Sequence, residues 1–127
     1  MPLFRKQDRT AEDDATRVHF EQLMALSRAE LAEELMPAFG PDGPNHGKDL
    51  NRLVLVGWLL RGYRGAGGVS HRLELDKAVL EALQVHEHAE LVQLRTRSPQ
   101  RWNATRLGET ALANGDFRQR IKDRTGG

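Results

Sequence analysis

The feature that most constrains the fold is a change of periodicity within residues 91–115. Polar and apolar side chains first alternate with the two-residue period of a half-buried strand. A turn follows at residues 98–100 (SPQ), with the serine in its first position and the proline in its second. After a second alternating run, Thr105 is a suitable helix cap and Gly115 a suitable helix end. The stretch therefore predicts a β-hairpin that leads directly into a short helix.

Residues 80–115 resemble the last part of a winged helix-turn-helix domain. In that family a helix leads into an x-A-x-L-V segment, a two-stranded wing follows, and a T-x-x-G-x-x-A-L helix comes next. The matching positions are Ala89, Leu91, Val92, Thr105, Gly108, Ala111 and Leu112. The resemblance implies a winged helix-turn-helix fold of the general MarR-like or PadR-like shape. It also implies that the helix before the wing is the one placed in the major groove of DNA.

The composition is that of an ordinary globular protein, with 39% hydrophobic and 29% charged residues in a chain of 127. This length suits one domain with one core. The absence of cysteine excludes disulfides, thiolate zinc sites and cysteine nucleophiles. No apolar run approaches the roughly 18 residues that span a bilayer, and no signal region follows the basic N-terminal residues. We therefore expect a cytoplasmic protein without a membrane partner.

The pattern along the chain predicts a mostly α-helical α+β fold with a small β-hairpin, in three parts. Residues 1–11 form a polar tail that we expect to be flexible. Residues 12–115 form the winged-helix domain, which begins with a helical pair. Residues 116–127 form a C-terminal helix, with Phe117 and Ile121 one turn apart, and a frayed end.

The N-terminal helical pair is predicted from apolar spacing and capping. The first helix, Glu12–Leu26, places Phe20, Leu23 and Met24 on one face. The second helix begins within the sequence SRAE at 27–30, which fits a capping box. Both helices are rich in acidic residues. We expect the pair to mediate homodimerisation or effector coupling.

The middle of the chain predicts two further helices. Asp49 is expected to cap a central buried helix at Leu50–Arg61, although its LVLVGWLL sequence also suits a buried strand. A flexible turn is expected at Gly62–Ser70, and a short strand within Val69–Leu75 would pair with the wing. The next helix, Asp76–His88, would be capped by its first residue. The inward positions of these elements and of the hairpin predict one shared core: Leu53, Leu60, Val79, Leu80, Leu83, Val92, Leu94, Leu107 and Leu112.

Motifs for catalysis, metal binding and nucleotide binding are incomplete. The glycines at 62–68 form neither a G-x-G-x-x-G register nor a loop followed by G-K-[ST]. His86 and His88 would point about 200° apart on a helix, so they cannot share one metal ion. The few serines occupy capping or turn positions without a nucleophile motif around them. We therefore expect neither an enzyme nor a bound cofactor.

The charged residues are arranged in bands. Residues 50–73 and 91–106 each contain four arginines and no acid, whereas residues 74–90 contain five acids and one lysine. An acid-free arginine band is typical of a phosphate-contacting surface, although a solvated hairpin edge has a similar pattern. The side chains expected to contact duplex DNA are Arg61, Arg64, His71, Arg72, Lys77, Arg95, Arg97, Arg101 and Arg106.

Two functions of different class are consistent with these features. The first is a small DNA-binding winged-helix protein, a transcriptional regulator whose wing projects Gln93, Arg95 and Arg97 towards phosphates. The acidic helix before the wing opposes this function, because phosphates repel an acidic surface. The second is a winged-helix module for protein–protein assembly without DNA binding, with Trp58 and Tyr63 in its contact surface.

Overall fold

The computed structural model describes residues 17–60 and 69–125. The predicted tail at 1–11, the start of the first helix and the 61–68 part of the glycine-rich turn lie outside these ranges. Arg61 and Arg64, two of the predicted DNA contacts, lie outside them as well.

The described chain is mostly helical and contains one small antiparallel sheet, so the predicted α+β class is confirmed. Within the described ranges, no helix combines the length and apolar character needed to cross a membrane. The elements in chain order are α1 (17–25, its described part), α2 (Arg28–Leu35), a 3-10 turn (Met36–Phe39), α3 (Arg52–Leu59), α4 (Val69–His88), β1 (Val92–Arg97), β2 (Gln100–Ala104), α5 (Arg106–Asn114) and α6 (Phe117–Thr125).

The predicted capping box at the start of α2 is confirmed. The Glu30 backbone N–H donates to Ser27 Oγ at 3.1 Å, and the Ser27 backbone N–H donates to Glu30 Oε1 at 2.9 Å. The hydrogen bond from the Ser27 backbone stabilises the carboxylate and lowers the pKa of Glu30. In α1, Phe20 and Leu23 are buried as predicted, but Met24 is 39% exposed. One residue after Leu23, Met24 lies about 100° further round the helix, outside the buried face.

The central helix begins later than predicted, and its cap is Asn51 rather than Asp49. The Asn51 side chain accepts a hydrogen bond from the Val54 backbone N–H at 2.8 Å. The reason is tertiary: Leu50 forms an isolated antiparallel bridge with Trp102, so the chain is still extended at that position. The later start places Leu53 outside the core, where it is 71% exposed, against the prediction.

Helix α4 begins at Val69, so the predictions of a strand within Val69–Leu75 and of a cap at Asp76 are both wrong. Leu75 is fully buried at helical spacing from Val79, which extends the buried face of α4 towards its N-terminus. Leu50, from the segment before α3, is the residue that pairs with the outer side of the hairpin.

One core lies between the helices and the inner face of the hairpin, and α2 packs against both α4 and α6. Of the nine predicted core residues, four are buried: Leu60, Val79, Leu83 and Val92. Four others are partly buried and pack against the same core: Leu80, Leu94, Leu107 and Leu112. Phe117 and Ile121 of α6 are buried as predicted.

The hairpin is confirmed, and its connection is the pair Ser98-Pro99, joined by a cis bond. Pro99 therefore occupies the third position of the turn rather than the predicted second, and Gln100 already belongs to β2. Thr105 caps α5 by accepting a hydrogen bond from the Gly108 backbone N–H at 3.0 Å. Gly115 ends α5 in the left-handed conformation, with φ of 74°.

The residues that carry the winged-helix resemblance have clear structural roles. Glu90 adopts a left-handed conformation that ends α4, and the chain then places Leu91 and Val92 in the core. The Thr105 backbone N–H donates to the Leu91 carbonyl at 3.0 Å. A Cβ on Gly108 would lie 2.0 Å from that same carbonyl oxygen, so the close approach of α5 requires glycine.

Candidate nucleic-acid interface

The N-terminal ends of α3 and α4 and the tip of the hairpin border one groove of about 420 Å³. Helix α3 contributes residues from its cap and first turns, helix α4 contributes residues close to its N-terminus, and β2 contributes its first residue. The lining residues are Asn51, Arg52, Leu53, Val56, Arg72, Leu73, Asp76 and Gln100. The groove therefore combines guanidinium, amide and aliphatic groups at one surface.

An ion pair joins the two helices that border this groove. Arg52 Nε lies 3.3 Å from Asp76 Oδ1, and both side chains are about one-third exposed (34% and 33%). Because solvent screens such a pair, its contribution to stability is small. The pair matters more for the charge of the groove, because Arg52 offsets the negative charge of the Asp76 carboxylate.

A β-bulge decides which hairpin arginine shares a face with Gln100, a residue that lines the groove. Leu94 pairs with Trp102 and Arg97 pairs with Gln100, with an irregularity between Leu94 and Thr96. Trp102 and Gln100 are two residues apart on β2 and share a face, so Arg97 shares the face of Leu94. The extra residue in the bulge is Arg95. The predicted arrangement of polar residues alternating regularly along β1 is therefore wrong beyond Leu94.

The structure brings together some of the predicted contact residues and separates others. Arg72 lines the groove, and Arg97 pairs with Gln100, which also lines it. Arg101 lies instead in a depression on the other side of the hairpin, with His46 and Lys48. Two of the remaining predicted residues belong to α4: His71 lies in its first turn, and Lys77 lies beside α1 and α2. The other two are Arg95, the exposed bulge residue, and Arg106, at the start of α5.

The acidic residues of α4 lie largely outside this groove. Glu74 and Glu81 line a depression formed with α1 and α2, where Lys77 also lies. Glu87, near the other end of the helix, accepts a hydrogen bond from Trp102 Nε1 at 2.9 Å. Asp76 is the acid that lines the groove itself, and it is paired with Arg52. The negative charge of α4 therefore does not surround Arg72.

Several groove residues were not anticipated from the sequence. Arg52 belongs to the acid-free arginine band at residues 50–73, so the charge pattern could have identified it as a candidate contact. Gln100 was assigned to a turn, and Leu53 was assigned to the core. Leu73 fell within a predicted strand, although it lies in α4 and is 60% exposed. Locating Leu53 and Leu73 required the observed starts of α3 and α4, and locating Gln100 required the register of the hairpin.

His86 is a buried core residue of α4. Its Nε2 lies 2.8 Å from the Ala32 carbonyl oxygen, to which the neutral ring donates, whereas Nδ1 is buried without a hydrogen-bond partner. Phe39 meets the ring edge-on, at 6.3 Å between ring centres. Burial disfavours the charged imidazolium and lowers the pKa of His86 to about 4. Within residues 17–60 and 69–125, no group of three His, Asp or Glu side chains is arranged to hold a metal ion.

The chain matched no family model, no curated protein and no solved structure when it was compared with them.

Proposed function

We propose that this protein is a winged-helix domain that binds duplex DNA through the groove between α3, α4 and the hairpin. The order of the elements supports the proposal, because two consecutive helices are followed directly by a two-stranded wing. The Leu50–Trp102 bridge adds a third extended segment beside the wing. The connection from Leu59 to Val69 is longer than the roughly 3–4 residues of the basic helix-turn-helix turn, so this domain would be a variant of that motif.

The observation that carries the proposal is that Arg72 and Gln100 line the same groove. Residues near the start of a recognition helix are those that reach the base edges, and wing residues beside it contact the backbone. Arg72 would be the residue near the start of the recognition helix that reaches the base edges. Arg97, which pairs with Gln100, would be the wing residue that contacts the backbone. With Arg95 in the bulge, the proposed surface carries three exposed arginines.

The arrangement of charge also favours this groove over the rest of α4. The first five residues of α4, Val69–Leu73, contain no acid, and the acids further along lie beside α1 and α2 or have partners. If α4 enters the major groove by its N-terminal end, its acidic remainder lies away from the phosphates. This arrangement weakens the electrostatic objection that the sequence alone raises.

The test is the salt dependence of binding to a fluorescently labelled mixed-sequence duplex. The logarithm of affinity should fall with the logarithm of salt by about 0.9 per phosphate neutralised. Replacing Arg72 and Arg97 together by alanine should weaken binding and flatten that slope by up to about 2. Lys77→Ala is the matched control, because Lys77 is an exposed cation of the same helix that lies outside the groove. It should leave the slope unchanged.

A second candidate function is protein–protein assembly, which the exposure of Leu53 and Leu73 favours. Failure of the purified protein to bind duplex DNA at about 50 mM salt, where non-specific binding is strong, would reject the DNA proposal and leave assembly in its place. Light scattering of the same sample would show whether the chain forms a homodimer, the role proposed for the N-terminal helices.

A further inference from the structure

Two leucines lie open to solvent within the proposed DNA-binding groove. Leu53 is 71% exposed and Leu73 is 60% exposed, more than the other large hydrophobic residues exposed in the described chain, Val18 and Met24. Leu53 lies in the first turn of α3, and Leu73 lies near the start of α4. Single exposed leucines need no explanation, but two from different helices lining one groove indicate a contact surface.

We propose that Leu53 and Leu73 recognise the C5-methyl groups of thymine in the DNA major groove. This inference rests on the proposed function and names the base chemistry that the same groove reads. The methyl group of thymine is the one apolar feature that a base pair presents in the major groove, and aliphatic side chains contact it. The site would therefore prefer methyl-bearing pyrimidines to the same bases without the methyl group.

The surroundings of the two leucines favour DNA as the occupant rather than an apolar protein surface. Arg72 adjoins Leu73 in the chain and lines the groove, and Arg97 pairs with Gln100, another lining residue. Cations therefore accompany the aliphatic groups. This combination is complementary to a strand that carries phosphates beside methyl groups. Gln100 adds an amide, a group that can bond the exposed edge of adenine, the partner of thymine.

The other polar groups of the groove leave this reading surface open. Arg52 is paired with Asp76, and the Asn51 side chain accepts the Val54 N–H as a helix cap. These polar groups therefore already have partners within the protein. Leu53 and Leu73 remain exposed near the starts of the two helices. A helix inserted by its N-terminal end into a major groove about 12 Å wide would bring such residues to the bases.

Removing the methyl group alone gives the sharpest test. Binding is measured by fluorescence anisotropy to two AT-rich duplexes of identical sequence, one containing thymidine and the other deoxyuridine throughout. A second pair compares cytidine with 5-methylcytidine in a GC-rich duplex, so that the methyl group is added rather than removed. Burying one methyl group should strengthen binding about fourfold, so the methylated member of each pair should bind more tightly by at least that factor.

The double variant Leu53→Ala/Leu73→Ala should bind the deoxyuridine duplex as the wild type does and should lose the preference for thymidine. Both positions are exposed, so the variant should keep its fold, which a thermal melt verifies. Val18→Ala is the matched control: it truncates another exposed aliphatic side chain, 46% exposed in α1, and should retain the preference. Comparing preferences between variants cancels any effect of uracil on the duplex itself.

The possible outcomes separate this inference from the proposed function. Equal binding of the thymidine and deoxyuridine duplexes by the wild type would overturn the methyl contact while leaving DNA binding intact. A wild type that binds neither duplex would overturn both. A wild-type dimer that the double variant converts to a monomer, with unchanged methyl preference, would assign the leucines to self-association and overturn the inference. The inference would be supported if the double variant loses the preference for thymidine while the wild type and Val18→Ala keep it.

Discussion

Trp102 joins the hairpin to the end of the helix that precedes it, through a hydrogen bond from its Nε1 to Glu87 Oε1 at 2.9 Å. The backbone of Trp102 also forms two hydrogen bonds of 2.8 Å with Leu50, just before α3. Trp102 as a whole is 2% exposed. One hairpin residue therefore links the hairpin to both α3 and α4, the helices that border the groove.

The Glu87 carboxylate is expected to stabilise this arrangement. Glu87→Ala leaves the Trp102 N–H without its acceptor and should lower the free energy of unfolding by about 1–3 kcal/mol. Glu87→Gln keeps a carbonyl oxygen at the same position and should cost less. Urea unfolding of both variants, with the exchange rate of the Trp102 indole N–H followed by NMR, checks this. Equal stability of the alanine and glutamine variants would contradict it.

Two leucines that both appeared to belong to the core should respond very differently to truncation. Leu83 is fully buried in α4, so Leu83→Ala should cost roughly 2–5 kcal/mol through lost burial and the cavity left behind. Leu53 is 71% exposed, so Leu53→Ala should change the free energy of unfolding by less than about 0.5 kcal/mol. Chemical denaturation measures both. A comparable loss for the two variants would mean that the start of α3 is misplaced.

Two helical glycines should differ in the sign of their response to alanine. At Gly108 the new Cβ would lie 2.0 Å from the Leu91 carbonyl oxygen, so α5 would have to move from the hairpin base. We expect a loss of at least about 1–3 kcal/mol, as for other overpacked sites. At Gly57 nothing lies within 4 Å of the new Cβ, so alanine should stabilise α3 by up to about 1 kcal/mol. Thermal unfolding distinguishes the two signs.

The stability of the protein should depend on pH through His86. The pKa of His86 is lowered from 6.5 to about 4 in the folded protein. Between pH 6.5 and pH 4, the unfolded chain therefore binds a proton at His86 that the folded chain does not bind. The folded state is therefore most stable, as far as His86 is concerned, above pH 6.5, where His86 is neutral in both states. Its free energy of unfolding decreases as the pH falls from 6.5 towards 4. Between pH 7 and pH 5 the loss should be roughly 2 kcal/mol.

His86→Gln removes this titration while retaining an amide that can donate to Ala32. Urea unfolding at both pH values should show a smaller pH dependence for the glutamine variant than for the wild type. Carboxylates contribute equally to both proteins and cancel in the comparison. An identical pH dependence would show that His86 titrates normally in the folded protein.

Several elements were predictable from the sequence because short-range interactions define them. The Ser27–Glu30 capping box, the Thr105 cap, the turn at Ser98-Pro99 and the left-handed Gly115 each depend on residues within a few positions of one another. Alternation along the hairpin likewise reports which side faces the core, at least as far as Leu94. These features established the α+β class and the junction between the hairpin and α5.

The tertiary structure decided where the central helices begin, because distant contacts compete with local propensity. The bridge between Leu50 and Trp102 joins residues that are about two-fifths of the chain apart, and it holds Leu50 extended where a helix was predicted. Burial of Leu75 extends α4 through a segment predicted as a strand. Burial of His86 against Ala32 and Phe39 depends in the same way on the packing of α2 onto α4.

The candidate site depended on both levels. The concentration of arginines in bands without acids could be read directly from the sequence, since it is a matter of residue order. Which arginines lie near one another depended on long-range packing. The starts of α3 and α4 bring Arg52 and Arg72 to one groove that Gln100 also lines, and the bulge at Arg95 pairs Arg97 with Gln100. A one-residue irregularity in a strand reverses the face of every residue after it, and short-range periodicity cannot report such a change.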